Sequence, residues 1–515
     1  MNEKNTLKKL TFTAIVLLFV LSLVVKDGFS AVVSEDEAIA VADLWYAMEL
    51  NSGYAKIAEP ERAERLGKLQ NRQVLYLVSK DDLLDSRPTK GDVLAYVIKY
   101  DPSGFVVVSG EDRLEPVMVF GAESQFRWDQ PERNFLRYFL GKEMTERWEC
   151  LTTQQAKGTQ VEVHRNWSYL RSELQKTISL QEVTLETGAI FVHWDTALWS
   201  QFWPYNTTVV ANNGNTTGIP TGCVATAMAI KMRFHEWPTS GSGSHGYDDN
   251  EGDVRYSHWI NFVAQSYSWS AMPTGSLTSA NLHVANLMYH CGVGVDMNYE
   301  VGSSGAETLD VATAMGDYFR YWGGQRRTSD HTKWVTESVL AGLPVVSAAT
   351  SHAFVIDGYR DTQSPYFHVN AGWNGDCNGW YNLSGLPNNP NGCGTGAITK
   401  SCTCSSPANY IYVDLVWSVT GSTGLLSHPF KYLSPGVAAV PAGGHLWIKE
   451  ARYSGADNVP ITINKPMTIR SYGGSSGGRT IIGENLLLTT ATGDNLSLRC
   501  PAQIRIYSGG GLRIY

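Results

Sequence analysis

The sequence predicts an α+β protein that ends in a β-rich region, and three observations support this fold class. Apolar residues recur at helical spacing between Glu35 and Asn51, which indicates an amphipathic helix. Short runs of β-branched and aromatic residues, such as 73–78, 93–100 and the glycine-bounded run 104–110, indicate buried strands. From residue 401 onward the chain is rich in glycine, with brief β-type runs at 461–463, 467–469, 481–482, 496–498 and 504–506.

The amino-acid composition limits the classes of protein to which this chain can belong. At roughly 150 residues per domain, a chain of 515 residues predicts about three domains. The hydrophobic fraction of 43% excludes a disordered chain, because disorder needs low hydrophobicity and high net charge. The same composition argues against a nucleic-acid partner, which would call for a basic surface, whereas the net charge of −8 favours solubility and says little about partners.

The amino terminus has the pattern of an export signal. Lys4, Lys8 and Lys9 precede a run of 16 almost wholly apolar residues, 10–25, and Gly28 and Ser30 provide the small residues of a cleavage site. The apolar run is shorter than the ~20 residues that span a bilayer, so we predict a cleaved signal, residues 1–30, and no lasting membrane span. The mature chain is then secreted or carried on the cell surface.

The remaining chain divides by composition. Residues 31–130 read as a small α+β unit, 131–176 as helix-prone, 177–400 as the part densest in Trp, Gly and His, and 401–515 as a β region. The irregular repeat of the β region, near 15–20 residues, fits a β-solenoid, with a small sandwich as the alternative. The strand pattern is interrupted at Tyr515, which predicts a truncated gene product because a solenoid needs a cap.

Four cysteines, Cys377, Cys393, Cys402 and Cys404, lie within 28 residues. Two local disulfides are favoured over a zinc site, because no paired Cys-x-x-Cys spacing is present. The histidines at 235, 245, 258, 283, 290 and 331 share no ligand spacing either, so we expect neither a metal nor an organic cofactor.

Cys223 has a setting that suggests chemistry. Residues 223–235 favour a helix that stops before Pro238, and Thr221 and Gly222 are plausible start residues. A cysteine at a helix N-terminus has its thiolate stabilised by the first-turn N–H groups and the helix dipole. A buried structural cysteine is the alternative.

A second segment supplies possible partners for that cysteine. Residues 352–359 and 366–370 read as two strands of a hairpin, which places His352 and Asn370 at the same open end. A nucleophilic Cys with His and Asn about 130–150 residues downstream is the arrangement of papain-type catalysis. There the imidazole forms an ion pair with the thiolate, and the amide oxygen of the Asn orients the imidazole.

Several motifs resemble the streptopain-type cysteine peptidases, a bacterial secreted papain-like family. They are GCVATAMA at Cys223, HAFVIDGY at His352, and FHVNAGWNGDCNGW around Asn370, with GFVVVSGEDRLEPVMVF resembling the inhibitory propeptide of that family. The resemblance covers roughly residues 35–385. It implies a zymogen in which 31–150 is the inhibitory propeptide, 151–184 the linker and activation region and 185–400 a papain-like catalytic domain.

The resemblance also implies roles for single residues. Cys223 is the nucleophile, His352 the general acid/base and Asn370 the support of the histidine. Gln201 is a weaker candidate for the oxyanion hole or cleft, and Trp373 for the cleft. The expected partners are protein or peptide substrates and the chain's own propeptide as an intramolecular inhibitor, with a surface or glycan ligand for 401–515.

Two positions depart from the family pattern. Ser351 stands where the family has Gly, and Ala371 replaces the Trp that shields the His–Asn bond. These departures keep a second function open, a surface- or glycan-binding protein with a decayed protease domain. A third, an amidase or transglutaminase-like acyltransferase, would use the same residues. For Asp357 we expect a structural role and not that of a triad acid. Either a peptide-binding groove or core packing is compatible with Trp334, Trp373 and Trp380.

Overall fold

The computed structural model describes residues 32–498, apart from 53–54, 56, 89–91, 129–134, 157–161, 177–189, 251–254, 350–351, 362–363, 384–399, 404–405, 418–420, 450, 454–456, 459–460, 463–464, 466, 473–480, 483–485 and 488–496. The chain divides by its contacts into two compact units. The first is Met1–Glu123, Phe139–Leu185 and Leu386–Thr395, and the second is Ser124–Tyr138, Glu186–Gly385 and Gly396–Tyr515.

The first unit combines helices with an antiparallel sheet. Its elements are α1 (Glu35–Asn51), α2 (Glu59–Gly67), β1 (Arg72–Leu77), β2 (Leu83–Leu84), β3 (Ala95–Tyr100), β4 (Phe105–Ser109), β5 (Val117–Gly121), most of α3 (Phe135–Ala156), and α4 (Arg165–Gln175). The strands follow the order β2-β1-β3-β4-β5. The Ser34 side chain caps α1 by accepting a hydrogen bond from the Glu37 N–H, and the Trp45 ring packs on Phe120 with centroids 5.4 Å apart.

The second unit packs helices against a longer antiparallel sheet. Its elements before residue 400 are β6 (Ile190–His193), α5 (Thr207–Asn212), α6 (Cys223–His235), β7 (Ser244–Asp249), β8 (Tyr256–Asn261), α7 (Leu282–Gly294), α8 (Asp310–Phe319), β9 (Tyr321–Trp322), β10 (Gln325–Arg327), α9 (His331–Leu340), β11 (Val345–Ala349), β12 (His352–Asp361), β13 (Pro365–Asn370) and β14 (Gly379–Tyr381). One core holds residues of α6, α7 and α8 together with Val346 and Val355 of the sheet.

The sheet of the second unit positions the candidate site. Its order is β10-β15-β11-β12-β13-β14, in which β15 is Lys400–Thr403, and β6 pairs with β12 as well. In the hairpin of β12 and β13, Asn370 pairs with Val355. The sequence-predicted hairpin therefore brings the end of β13 close to His352, at the start of β12. A register shift between Ile356 and Gly358 leaves Asp357 as an extra residue, which is a β-bulge.

The last part of the chain is a stack of parallel strands. Its elements are β16 (Ser406–Pro407), β17 (Tyr410–Val413), α10 (Leu433–Ala439), β18 (Gly444–Lys449), β19 (Arg452–Tyr453), β20 (Ile461–Thr462), β21 (Met467–Tyr472), β22 (Ile481–Ile482), β23 (Leu486–Leu487) and β24 (Ser497–Leu498). The order β17-β18-β21-β24 and the pairs β19-β22 and β20-β23 form three parallel stacks. Parallel stacking on separate faces is the geometry of a β-solenoid.

The mixed helix-and-sheet architecture confirms the predicted fold class. The predicted repeat length of the β region, near 15–20 residues, was wrong. Gly444 pairs with Met467, Arg452 with Ile481 and Tyr410 with His445, so a coil takes 23 to 35 residues. Turns between the short strands hide this period in the sequence. The predicted signal, residues 1–30, and the β run 504–506 lie outside the described residues. Within the described residues no helix is long and apolar enough to cross a membrane.

Candidate active site

Cys223 is the first residue of α6, as the sequence predicted. The two residues before it, Thr221 and Gly222, hold its backbone in place. Gly222 has φ +84°, and a Cβ there would lie 2.5 Å from the Met297 sulfur, so the position requires glycine. The Thr221 N–H donates to the Gln201 carbonyl at 2.9 Å, and its hydroxyl bonds that of Thr226 at 2.7 Å. These contacts hold the Cys223 backbone at the helix N-terminus.

Cys223 is half-buried, and the surroundings of its sulfur favour the thiolate. Burial by itself raises the pKa of this thiol. The hydrogen bond from the His352 side chain, the charge of that side chain and the N–H groups of Ala353 and Val224 outweigh burial, so the pKa is lowered. A lowered pKa is what a nucleophilic cysteine needs.

His352 is held by the segment that follows β13. Its Nε2 lies 2.9 Å from the Ala371 carbonyl oxygen, to which it donates, and its ring stacks on Trp373 with centroids 5.9 Å apart and planes 16° from parallel. With Nε2 bound to a carbonyl, Nδ1 is left for the sulfur of Cys223. The indole of Trp373 covers one face of the imidazole, although Ala371 has replaced the expected tryptophan.

Asn370 makes contacts other than the one expected from the sequence. Its Oδ1 accepts from the Gly372 N–H at 3.1 Å, and its Nδ2 donates to Thr196 Oγ1 and to the Ala197 carbonyl, both at 2.9 Å. The expectation that its amide oxygen orients the imidazole directly is therefore corrected. The physical reason is the tight turn after β13, which Asn370 itself closes and which turns the Ala371 carbonyl toward His352 instead.

Three further residues support this turn, namely Thr196, Asp357 and Asn378, and sequence reasoning had considered only Asp357 in connection with the site. The Thr196 hydroxyl, which accepts from Asn370, donates to Asp357 Oδ2, and Asp357 Oδ1 lies 2.6 Å from His368 Nδ1. The Ala371 N–H donates to Asn378 Oδ1 at 3.0 Å. No motif marked Thr196, and the structural role predicted for Asp357 agrees with its contacts. Backbone carbonyls such as that of Ala371 leave no side-chain signal in a sequence.

Of the weaker candidates, Gln201 and Trp373 lie near Cys223 or His352, whereas Trp334 and Trp380 do not. Gln201 is 5% exposed and lies beside the segment that leads into Cys223. Among the described residues its side-chain amide has no hydrogen-bond partner, so it is free to donate to a ligand. Trp373 packs between His352 and Phe202. Of the other two tryptophans, Trp334 lies under the Arg327 guanidinium at 3.9 Å, and Trp380 packs on His193 and His368, so neither adjoins Cys223.

A segment that precedes α3, residues 124–127, contacts the loop after Trp373. The Ser124 hydroxyl donates to the Asn378 carbonyl, the Cys377 N–H donates to the Gln125 carbonyl at 3.1 Å, and Arg127 forms an ion pair with Asp376. Cys377 is not bonded to another cysteine, so it takes no part in the expected disulfides, whereas Cys393 and Cys404 lie outside the described residues.

Two family models match this chain in adjoining segments. Residues 199–381 match the peptidase C10 family, and residues 30–146 match the Spi protease inhibitor family. The first range contains Cys223, His352 and Asn370, and the second lies ahead of it. Both matches confirm the resemblance that the motifs carried.

Known proteins resemble parts of the chain. It is 29% identical to the thiol protease/hemagglutinin PrtT of Porphyromonas gingivalis over 313 residues, 58% of this chain and 34% of that protein. It is 33% identical to streptopain of Streptococcus pyogenes over 195 residues, 34% of this chain and 48% of that protein. The chain thus spans less than half the length of these curated relatives. A solved structure of a prointerpain A fragment from Prevotella intermedia, 23% identical, covers 64% of this chain and 98% of its own, with a TM-score of 0.46.

Proposed function

We propose that this chain, which contains a peptidase C10 domain preceded by an Spi inhibitor domain, is the zymogen of a cysteine endopeptidase. The single observation that carries the proposal is the hydrogen bond between the His352 side chain and the thiol of Cys223 at the first residue of α6. We assign residues 31–150 to the inhibitory propeptide, 151–184 to the activation region, 185–400 to the catalytic domain and 401–515 to the β region. The two family matches support the first and third assignments.

Acylation follows from the contacts of Cys223 and His352. The thiolate attacks the carbonyl carbon of a peptide bond, and the imidazolium donates its proton to the leaving amine. This leaves a thioester on Cys223. The Ala371 carbonyl holds Nε2–H throughout, so the ring keeps Nδ1 toward the sulfur while the proton is transferred.

The oxyanion of the tetrahedral intermediate needs donors aimed at it. The N–H of Cys223 at the start of α6 supplies one, and we assign the free Gln201 amide as the other, since such donors contribute a large share of the rate. Water, deprotonated by His352, then hydrolyses the thioester. Asn370 acts as a positioning residue, because it closes the turn that presents the Ala371 carbonyl.

The geometry weakens the main argument for a decayed protease domain. That argument rested on Ala371, whose side chain lacks the shielding indole. A backbone carbonyl supplies the bond to His352 at this position, and Trp373 covers the ring. Neither contact depends on the side chain of residue 371, so the substitution is compatible with catalysis.

A covalent epoxide inhibitor of papain-like enzymes tests the proposal directly. After propeptide removal the parent should gain the mass of one inhibitor on Cys223 and should hydrolyse a denatured protein. His352→Ala should lose both. Cys223→Ala, with Cys291 still present as a fully buried thiol, is the matched control and should stay unlabelled. Absence of labelling in the trimmed parent would overturn the proposal, and amide products in the presence of added amine would indicate an acyltransferase.

Location and outside partners are proposals as well. The basic and apolar start of the chain supports export by a cleaved signal, so the substrates would be extracellular or cell-surface proteins. The propeptide would act as the intramolecular inhibitor, consistent with the Spi match. The β region would attach to a surface or help export.

A further inference from the structure

Three ligand-type side chains meet on the sheet behind the candidate active site. His193 of β6 and His368 of β13 both pair with Gly358 of β12, so the two histidines flank this glycine from the neighbouring strands. Their rings lie 4.0 Å apart between centroids. A Cβ on Gly358 would lie 2.6 Å from the Cβ of His368, so the missing side chain provides the room that the two imidazoles occupy.

The β-bulge adds a carboxylate to these two imidazoles. In a regular strand Asp357 and Gly358 would face opposite sides of the sheet, but Asp357 is the extra residue of the bulge. Its Oδ1 reaches His368 Nδ1 at 2.6 Å, and one nitrogen or oxygen atom from each of the three residues lies within 4.8 Å of the others. Asp357 is buried, and both histidines are half-buried.

We propose that His193, Asp357 and His368 form a binding site for a divalent transition-metal ion of the zinc class, separate from Cys223 and His352. Two imidazole nitrogens and one carboxylate oxygen are a donor set that Zn²⁺ prefers, at about 2.0–2.2 Å from each ligand. The ion replaces the proton shared between His368 Nδ1 and Asp357 Oδ1 and releases it to solvent. Because both histidines are only half-buried, water can reach the ion and take the fourth coordination position.

A second contact prepares the carboxylate for a metal. The Thr196 hydroxyl donates to Asp357 Oδ2, which leaves Oδ1 directed at His368. Outer hydrogen bonds of this kind orient ligating carboxylates and are worth about 10–100-fold in metal affinity. Trp380 lies against both imidazoles, with centroids at 5.6 Å and 5.2 Å, and limits their rotation.

Zinc titration of the full chain carrying Cys223→Ala tests the site without depending on peptidase activity. That substitution removes the active-site thiolate as a competing ligand and prevents self-cleavage. Calorimetry should detect one bound equivalent that His193→Gln and His368→Gln each weaken by at least ~10-fold, and Thr196→Val by about 10–100-fold. Cobalt should produce visible absorption bands of a four-coordinate site in the parent only.

The controls separate loss of a ligand from loss of the fold. His245 forms an exposed pair with Asp296 at 2.6 Å, so His245→Gln removes a similar His–Asp pair and should keep the bound equivalent. His193→Cys replaces one zinc ligand by another and should bind where His193→Gln does not. Parent-like affinity in both glutamine variants, or no zinc equivalent in the parent, would overturn the proposal.

Discussion

The ionisation of Cys223 depends on a balance of opposing contributions at a single sulfur atom. Burial removes water from the sulfur and favours the neutral thiol, whereas His352 and two backbone N–H groups favour the thiolate. The net pKa is below the ordinary thiol value, so the hydrogen bonds and the charge outweigh burial. Cys291 has burial without those partners, and the pKa of its thiol is raised well above the ordinary value.

This balance predicts how alkylation of Cys223 depends on pH. In the parent, modification by iodoacetamide should continue below the ordinary thiol pKa and decline only as the pH falls through the lowered value. In His352→Ala the Cys223 thiol is still buried but has lost the histidine that lowers its pKa most, so the pKa of Cys223 should lie above that of the parent. Mass spectrometry of the Cys223 peptide measures both, with Cys291 as an internal control that stays unmodified. Identical profiles in the parent and the variant would contradict the assignment of His352.

Thr196 is predicted to matter for turnover although it does not touch the reacting atoms. Thr196→Val leaves the Asn370 amide and the Asp357 carboxylate without their shared partner, at a cost of about 1–3 kcal/mol for a buried unpaired group. The turn that presents the Ala371 carbonyl should loosen, so we expect kcat to fall about tenfold with little change in KM.

The comparison for Thr196→Val uses two further variants. Thr196→Ser keeps the hydroxyl and should restore kcat, which a general loss of packing would not allow. Thr208→Val removes a hydroxyl that bonds exposed Asn286 at 2.7 Å and should behave like the parent. An equal fall in kcat for Thr208→Val and Thr196→Val would contradict a specific role of the Thr196 hydrogen bonds to Asn370 and Asp357.

The helix that starts at Cys223 and the hairpin of β12 and β13 were predictable from the sequence, whereas the bonds that complete the site were not. Helix 223–235 follows from good helix formers ahead of Pro238, and the hairpin from two apolar runs around a short loop. The bulge at Asp357 and the turn after Asn370 depend on register, which local sequence does not specify. Sequence reasoning therefore found Asn370 and His352 but assigned them a direct bond in place of the Ala371 carbonyl.

A large buried side chain joins the solenoid to the sheet that positions the candidate site. Trp447 of β18 is fully buried, packs edge-on against Trp194 with centroids 6.0 Å apart, and lies over Gly342, whose Cβ would come within 1.9 Å of the indole. Ala341, Leu343, Tyr410 and Tyr412 complete this cluster. It joins the turn between α9 and β11 to the first strands of the solenoid.

Trp447→Ala should therefore destabilise the catalytic region along with the solenoid. Removing a buried tryptophan costs about 3–5 kcal/mol, which should lower the urea midpoint measured by fluorescence in the Cys223→Ala background. Trp259 is 64% exposed, so Trp259→Ala is the matched control and should change the free energy of unfolding by less than about 0.5 kcal/mol. Equal midpoints for the two variants would mean that the cluster does not stabilise the fold.

Across the whole molecule, the order of segments suits activation by cleavage. Residues 124–138 group with the second unit, although the residues on either side belong to the first. A cut in the proposed activation region, 151–184, would leave Ser124, Gln125 and Arg127 attached to the loop at Asp376–Asn378 by noncovalent contacts alone. Asn378 in turn holds the Ala371 N–H, so release of the segment frees a residue that supports the catalytic turn.

Self-processing of the chain lacking residues 1–30 tests this order of events. In a reducing buffer at mildly acid to neutral pH, the parent should release an amino-terminal fragment of about 12–17 kDa, the size of a propeptide of that length. Cys223→Ala should remain intact, because the thiolate that performs the cleavage is gone. Adding a trace of processed parent to Cys223→Ala should produce the same fragment if the cut is made between molecules, and sequencing its carboxyl end locates the activation site. If neither form is processed and trimming by an added protease yields no activity, the catalytic set is inactive despite its geometry, and the β region becomes the part that carries the function.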